Sequence, residues 1–283
     1  MSALLDQDLE NTDEIFVAHS DTPGDIYHIL KSLVYKEKTK LFCTVTIQEK
    51  GMKFVVESHK NFQGNAYLMR GMFSEWDLRV DVLEFRIGLV EIMEALNCLR
   101  SENAFVKFSM KDETKDDKDR RLHITVVDRK VTATISLPVY NATSDFDFNF
   151  DDNPVRAKIV LEAKTIRKVF HEVDPKENPS VKFFFKPDTC IITTNAQTLK
   201  CVTTFRQNTP EVTDVFADRD GLTFDYKSIF IKRLKYATNN ASQVSLSMND
   251  LGILSAQFRF AKVARNAGHA EFFANPLEPT EEM

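Results

Sequence analysis

Helical and strand periodicities alternate along the first half of the chain. Apolar residues spaced three and four apart predict a helix that begins near Pro23 and a second helix from Leu89 to Leu99. Runs in which apolar and polar residues alternate, bounded by turn residues such as Gly51, predict strands. These strands are expected at residues 15–18, 41–47, 52–57, 65–72, 82–87, 104–109, 122–127 and 131–137.

The same order of elements begins again in the second half. A fourth helix is predicted at 226–236, and a third helix is predicted from its apolar positions, Ile166, Val169, Phe170 and Val173. Strands are expected at residues 157–161, 181–185, 190–194, 199–205, 222–225, 243–248, 253–260 and 271–274. The order repeats with a period of about 140 residues, which is too long for a solenoid. The sequence therefore predicts an α+β fold of two similar domains in tandem.

The predicted boundaries are 1–137 for the first domain, 138–153 for a connector, and 154–283 for the second domain with a short acidic C-terminal tail. The connector contains four aspartates between residues 145 and 152, and three alternating phenylalanines, Phe146, Phe148 and Phe150. Alternation would suit an edge strand with one apolar face. Two interpretations stay open: an acidic linker whose phenylalanines pack on the parent sheet, or an extended connector beside a partner-binding groove.

Charge is distributed unevenly along a chain whose net charge is −5. Lys111–Arg121 holds five basic and five acidic residues and is predicted to be a solvated hairpin tip. The polar side of the third helix is basic, with Lys164, Arg167, Lys168 and His171. The fourth helix adds Lys227, Lys232, Arg233 and Lys235 without an acidic residue. An acidic protein with two basic helices suits a polyanion held by phosphate contacts, which do not read base sequence.

Composition narrows the class of protein. Hydrophobic residues make up 43% of 283, enough for a core, and 23 Phe against one Trp favour sheet. The acidic first residues do not resemble a secretory signal, and we expect no membrane span. No CxxC pair occurs, which predicts core thiols in a reducing compartment for Cys43, Cys98, Cys190 and Cys201.

The order of elements, with two helices in each half, resembles the PCNA-like sliding clamp superfamily. Local similarity is carried by residues 54–58 with 65–68, by 82–99 and by 268–276. Residues 145–148 and 157–161 resemble the Rad-one-type subunit of the heterotrimeric DNA-damage checkpoint clamp. The resemblance implies a non-enzymatic ring subunit without a cofactor, with antiparallel sheets outside and four helices lining the DNA-facing side. It also implies a nuclear location and, as partners, two other clamp subunits, double-stranded DNA, a clamp loader, and checkpoint and repair proteins.

Site residues follow from the resemblance combined with the charge pattern. The expected DNA-facing residues are His28, Lys31, Lys164, Arg167, Lys168, His171, Lys227, Lys232 and Lys235. The expected subunit-interface residues lie on two edge strands, Lys130, Thr132, Thr134 and Leu137 on one, and Leu199, Cys201, Thr203 and Phe205 on the other. The second helix departs from replicative clamps, because Glu91 and Glu94 stand where those clamps present lysines. That departure fits a heterotrimer.

Three alternatives remain at this stage. A homotrimeric replicative processivity clamp shares the fold. A 3′–5′ exonuclease needs carboxylates that converge on metal ions, whereas the acidic runs at 112–119 and 145–152 are expected on the surface, and the six histidines lack metal-ligand spacing. A β-rich scaffold without DNA contact would not need segregated basic helices.

Overall fold

The computed structural model describes residues 13–35, 41–98, 104–111, 120–195, 199–260 and 268–278. Within these residues the chain forms eighteen strands and four α-helices, with a short 3-10 helix at Arg70–Met72. The predicted hairpin tip between Lys111 and Arg121, the acidic start of the chain and most of the acidic C-terminal tail lie outside the described residues.

Each half has the same order: strand, helix, five strands, helix, three strands. The first half contains β1 (Glu14–Ser20), α1 (Pro23–Lys31), β2 (Phe42–Gln48), β3 (Gly51–Ser58), β4 (Phe62–Met69), β5 (Glu75–Leu78), β6 (Leu83–Gly88), α2 (Leu89–Asn97), β7 (Ala104–Lys111), β8 (Arg121–Asp128) and β9 (Val131–Pro138). The second half contains β10 (Val155–Glu162), α3 (Ala163–Glu172), β11 (Ser180–Lys186), β12 (Thr189–Asn195), β13 (Lys200–Arg206), β14 (Val212–Ala217), β15 (Leu222–Lys227), α4 (Ser228–Thr238), β16 (Ala241–Asn249), β17 (Leu254–Phe260) and β18 (His269–Ala274). The internal duplication expected from the sequence is therefore present. The sequence did not predict β5 or β14, which occupy the same place in the two halves.

The strands form three antiparallel sheets. Their orders are β5-β1-β7-β8-β9, β14-β10-β16-β17-β18-β4-β3-β2-β6 and β13-β12-β11-β15. The nine-stranded sheet crosses between the halves where β18 pairs with β4, from His269 opposite Tyr67 to Ala274 opposite Phe62. This sheet contains strands of both halves and is continuous between them. The boundaries 1–137, 138–153 and 154–283 therefore stay a prediction.

Bulges show which residues of the two halves correspond. The pairing of β1 with β7 shifts register between Glu14 and Phe16. The pairing of β10 with β16 shifts between Val155 and Ala157. A bulge adds one residue to one strand at a fixed place. Because β1 and β10 each have a bulge at the same place, Phe16 corresponds to Ala157. Hairpin registers carry this alignment to the other strands.

The helices cover one face of the sheets and bury one side of themselves. Ile166 and Phe170 of α3 are fully buried, as are Ile26 and Ile29 of α1. The larger of two hydrophobic clusters in the described part of the chain runs through both halves. The spacing of three and four that predicted the helices is thus the side that packs on the sheets.

Aromatic residues close the core where the halves meet. Phe62 of β4 stacks on Phe230 of α4 at 5.2 Å and on Phe272 of β18 at 5.9 Å between ring centroids. The Arg233 guanidinium lies 3.9 Å from the centroid of the Tyr35 ring. We call these five residues the junction clasp. Aromatic pairs of this kind contribute about 0.5–1.5 kcal/mol each beyond burial.

The connector lies on the opposite face of the central sheet. Phe148 and Phe150 are buried against Phe273, with Ile253 in the same small cluster. The Phe146 amide donates to Glu57 Oε1. The segment is not a strand, and its phenylalanines pack on the parent sheet, as the first interpretation holds. A partner-binding groove beside it stays a prediction.

The cysteines divide into two buried and two exposed thiols. Cys43 and Cys190 are buried, and burial raises the pKa of both thiols. Cys98 and Cys201 are exposed. The expectation of a core position was wrong for these two, because Cys98 follows the last residue of α2 and Cys201 lies on a strand with an open edge.

Candidate nucleic-acid and subunit interfaces

The four helices form one row, in the order α2, α1, α4, α3, in which neighbours touch. The row lies on the face opposite the connector. On β18, Phe272 packs among the helix-side aromatics whereas its neighbour Phe273 packs on the connector. Because successive side chains of a strand point to opposite faces, the row and the connector occupy the two faces of the central sheet.

Helix α3 presents the exposed basic side chains of Lys164, Lys168 and His171. Lys164 Nζ lies 2.7 Å from a Glu162 carboxylate oxygen, and this hydrogen bond raises the pKa of the lysine. Arg167 has a different environment. Its Nη2 donates to the Thr238 carbonyl at 2.7 Å, at the C-terminal end of α4. A cation there is favourable because the last carbonyls of a helix carry partial negative charge.

Lys232 and Lys235 of helix α4 are half-buried, whereas Lys227, which precedes the first turn of the helix, is exposed. Lys232 Nζ donates to the His171 carbonyl at 2.5 Å. Burial, and then the charge of Lys235, lowers the pKa of Lys232. Lys235 Nζ lies 4.8 Å from the centroid of the Tyr236 ring. Together with Arg167, Lys232 therefore holds α3 against α4.

The helices of the first half carry little positive charge. His28 is half-buried, and Lys31 is exposed with its Nζ 5.5 Å from the Tyr27 ring centroid. Helix α2 has no Lys or Arg and carries Glu91 and Glu94. All nine predicted DNA-facing residues lie on or next to the helix row, but the cations concentrate in the second half. Arg167 and Lys232 are engaged in backbone hydrogen bonds that the helical pattern alone did not indicate.

Two of the six sheet edges in the described structure correspond to the strands that pair across the halves, and both are open. They belong to β9 and β13. The strand that corresponds to β9 in the other half is β18, and the strand that corresponds to β13 is β4. Strands β18 and β4 pair with each other, and we call this pairing the closed junction. Of the residues at the two open edges, Val131 is 56% exposed, Val202 52% and Leu199 67%, whereas Leu137 and Phe205 are buried. Edge β6 differs, because Arg86 exchanges two backbone hydrogen bonds with Tyr140.

The predicted interface residues fall on or beside these edges. Thr132, Thr134 and Leu137 lie in β9, and Lys130 is in the turn before it; Cys201, Thr203 and Phe205 lie in β13, and Leu199 just precedes it. Their place at a subunit interface stays a prediction. The sequence did not indicate the junction clasp, because nothing in the helical pattern separates Arg233 from the lysines around it.

A cavity of about 420 Å³ opens between α3 and the β13–β14 region. Its lining includes Lys168, Val169 and Phe205. At the corresponding place of the first half, Gly268 fills the space, and its N–H donates to Met72 Sδ at 3.2 Å. At the closed junction, the segment that leads into β18 occupies this place. At the open edge of β13 no described segment occupies it, and the cavity remains.

The described residues also bear on metal binding and on membrane insertion. No group of three or more His, Cys, Asp or Glu side chains there is arranged to hold a metal ion. None of the helices described has both the length and the apolar character needed to span a membrane.

Comparison with known proteins identifies the family. Residues 15–260 match the family described as repair protein Rad1/Rec1/Rad17. The chain belongs to this family. The chain is similar to the human cell cycle checkpoint protein RAD1, 25% identical over 173 residues that span 60% of each chain. The Caenorhabditis elegans RAD1 homolog mrt-2 is 23% identical over 266 residues, 89% of this chain and 95% of that protein.

Solved structures show that the chain has the fold of PCNA. PCNA from Entamoeba histolytica superposes with a TM-score of 0.76 at 13% identity, covering 94% of this chain and all of that one. PCNA from Thermococcus kodakaraensis gives 0.74 at 14% identity over 93% of this chain and 100% of that one. The predicted clamp fold is thereby confirmed.

Proposed function

We propose that the chain is one subunit of a ring-shaped heterotrimeric checkpoint clamp that encircles duplex DNA. Membership of the Rad1 family and the PCNA-like fold support a clamp subunit. In this proposal a clamp loader places the ring on damaged DNA in the nucleus, where it serves checkpoint and repair proteins as a platform. The observation that carries the ring is the closed β18–β4 junction, because β9 and β13 repeat its two partners at open edges.

The open edges supply unpaired backbone donors at defined residues. Arg129 and Lys130 form a two-residue turn, so Asp128 and Val131 are a hydrogen-bonded pair and the alternation leaves the Thr134 N–H pointing outward. The same count from the Lys186–Thr189 turn leaves the Val202 N–H pointing outward from β13. Copying the register of the closed junction places Thr134 opposite the neighbour's counterpart of Val202.

The helix row then faces the central hole. Exposed Lys164, Lys168 and Lys227 contact phosphates as mobile point charges, without reading bases. The charged side chains of helix α2 are all carboxylates, so a ring of three identical subunits would carry Glu91 and Glu94 three times in its helix row. Neighbours with basic helices compensate this acidic sector, which favours a heterotrimer over a homotrimeric replicative clamp.

We also propose that the chain hydrolyses nothing. A two-metal nuclease requires converging carboxylates. Purified protein with Mg²⁺ or Mn²⁺ and 3′-labelled duplex should release no nucleotide. Release that co-purifies with the chain and is lost on a single Asp or Glu substitution would establish an exonuclease instead.

Proline substitutions at the edges test the ring. Thr134→Pro and Val202→Pro each remove an outward backbone donor without removing a backbone hydrogen bond within the subunit. The exposed hydrogen bond between the Thr125 and Thr134 hydroxyls is lost in Thr134→Pro and equally in the Thr134→Ala control. Each proline variant should abolish assembly with the two partner subunits, measured by sedimentation velocity of the co-expressed complex, while the melting temperature of the isolated chain stays near that of the wild type. Thr134→Ala and Val202→Ala keep the donor and should still assemble. Normal assembly of both proline variants would refute the edge assignment.

A further inference from the structure

The closed junction shows what this fold uses to join two neighbouring units. Beside the β18–β4 ladder, Phe62 is stacked between Phe230 and Phe272. The Arg233 guanidinium covers Tyr35 at 3.9 Å and Phe62 at 5.2 Å from the ring centroids. Three of the clasp residues come from one side of the junction and two from the other, so the clasp forms only when both sides are complementary.

The correspondence between the halves gives the clasp positions at the open edges. At the edge formed by β9 and α2, Glu91 stands in the place of Phe230 and Glu94 in the place of Arg233. This follows because β6 runs into α2 in the same register as β15 runs into α4. The hairpin registers place Ile135 of β9 where Phe272 stands in β18. On the side of β13 and α3, Phe62 is replaced by Leu199. Matching the buried Ile26 and Leu30 of α1 with the buried Ile166 and Phe170 of α3 places Pro175 where Tyr35 stands. No aromatic ring remains at these five positions.

We infer that the β9–α2 edge takes a clamp-fold partner that presents cationic side chains to Glu91 and Glu94, and not a second copy of this chain. The inference rests on the proposed ring and names the chemistry of one neighbour. It follows that the two edges of the chain are mismatched with each other and select different partners.

Two observations argue against a second copy. Glu91 would lie against Leu199, an apolar residue that is 67% exposed in the single chain. A carboxylate buried without a partner is strongly unfavourable, and Glu91 Oε2 already lacks a hydrogen-bond partner among the described residues. Glu94 would meet Pro175, beside which the chain carries the exposed Asp174. A lysine or arginine at either facing position would instead pair with these carboxylates.

The test rebuilds the clasp across two molecules of this chain. One variant carries Glu91→Phe and Glu94→Arg at the first edge, and the other carries Pro175→Tyr and Leu199→Phe at the second. The wild-type chain and each variant alone should sediment as a monomer of 32.5 kDa. Their equimolar mixture should sediment as a dimer of twice that mass.

Control variants distinguish a specific interface from non-specific association. Adding Val202→Pro to the second variant removes the ladder donor and should return the mixture to monomers. Circular dichroism melting of each variant confirms that it folds, and a softer pair, Glu91→Leu with Leu199→Phe, replaces any variant that does not. Mixtures that stay monomeric although all proteins fold, or a wild-type chain that forms trimers by itself, would overturn the inference. Neither result decides whether the chain forms part of a ring. That proposal is tested by the proline variants, and their normal assembly would refute it.

Discussion

Removing three exposed lysines from the helix row should flatten the salt dependence of DNA retention by the assembled ring. Lys164, Lys168 and Lys227 are chosen because they are exposed, whereas Arg167 is left intact because it binds the Thr238 carbonyl. Each phosphate contact contributes about 0.9 to the slope of log K against log salt, so the triple Ala variant should lose about 2.7 from that slope. Over a fourfold rise in salt, its affinity should therefore fall about 40-fold less than that of the wild type.

The assay measures retention of the assembled ring on circular duplex DNA across a salt series. A control of equal charge replaces Lys53, Lys158 and Lys182 by Ala. Each of these lies between two buried residues on its strand, and therefore on the face opposite the helices. The control should keep the wild-type slope. An unchanged slope in the helix variant, or equal flattening in the control, would refute the assignment of the helix row to DNA.

Three further predictions concern the isolated chain, and each is measured by urea unfolding. Phe62→Ala should lower the free energy of unfolding by about 3–5 kcal/mol, since it empties the centre of the junction clasp; a loss under about 1 kcal/mol would contradict that role. Arg167→Ala should lower it by about 1.5–3 kcal/mol through loss of the charged hydrogen bond to α4, while Lys168→Ala should stay within about 0.5 kcal/mol of the wild type. Burial raises the pKa of Glu271, so the stability it contributes below the ordinary carboxyl pKa is lost as pH rises through the folded-state value. Glu271→Gln should therefore stabilise the protein at neutral pH more than at acidic pH, and an equal effect at both would count against the sign.

Periodicity was enough to find the repeat, because most elements bury one face and their apolar spacing is a local property. It failed for β5 and β14 for a shared reason. β5 has four residues, two of them acidic, and β14 pairs with one neighbour only, so neither needs a strong apolar alternation. Both were found once the two halves could be compared in three dimensions.

The site was harder to predict than the fold, because the role of a surface cation depends on what another element brings to it. Arg167 and Lys168 are neighbours on the polar side of α3, yet only Arg167 reaches the end of α4. Arg233 looks like one more cation of α4 but stacks on Tyr35, which lies almost two hundred residues earlier in the chain. Such pairings are set by the packing of helices, and a single helical pattern carries no information about them.

The β18–β4 ladder also has a consequence for how the chain is made. Strand β4 ends at Met69, and its partner β18 begins only at His269, so one edge of β4 stays open until about two hundred further residues have left the ribosome. Contacts so distant in sequence form late and slowly, and unpaired strand edges favour aggregation in the meantime. A chain that is truncated before His269 should therefore depend on chaperones during synthesis, and it should leave β4 and β17 as the edges at which misassembly begins.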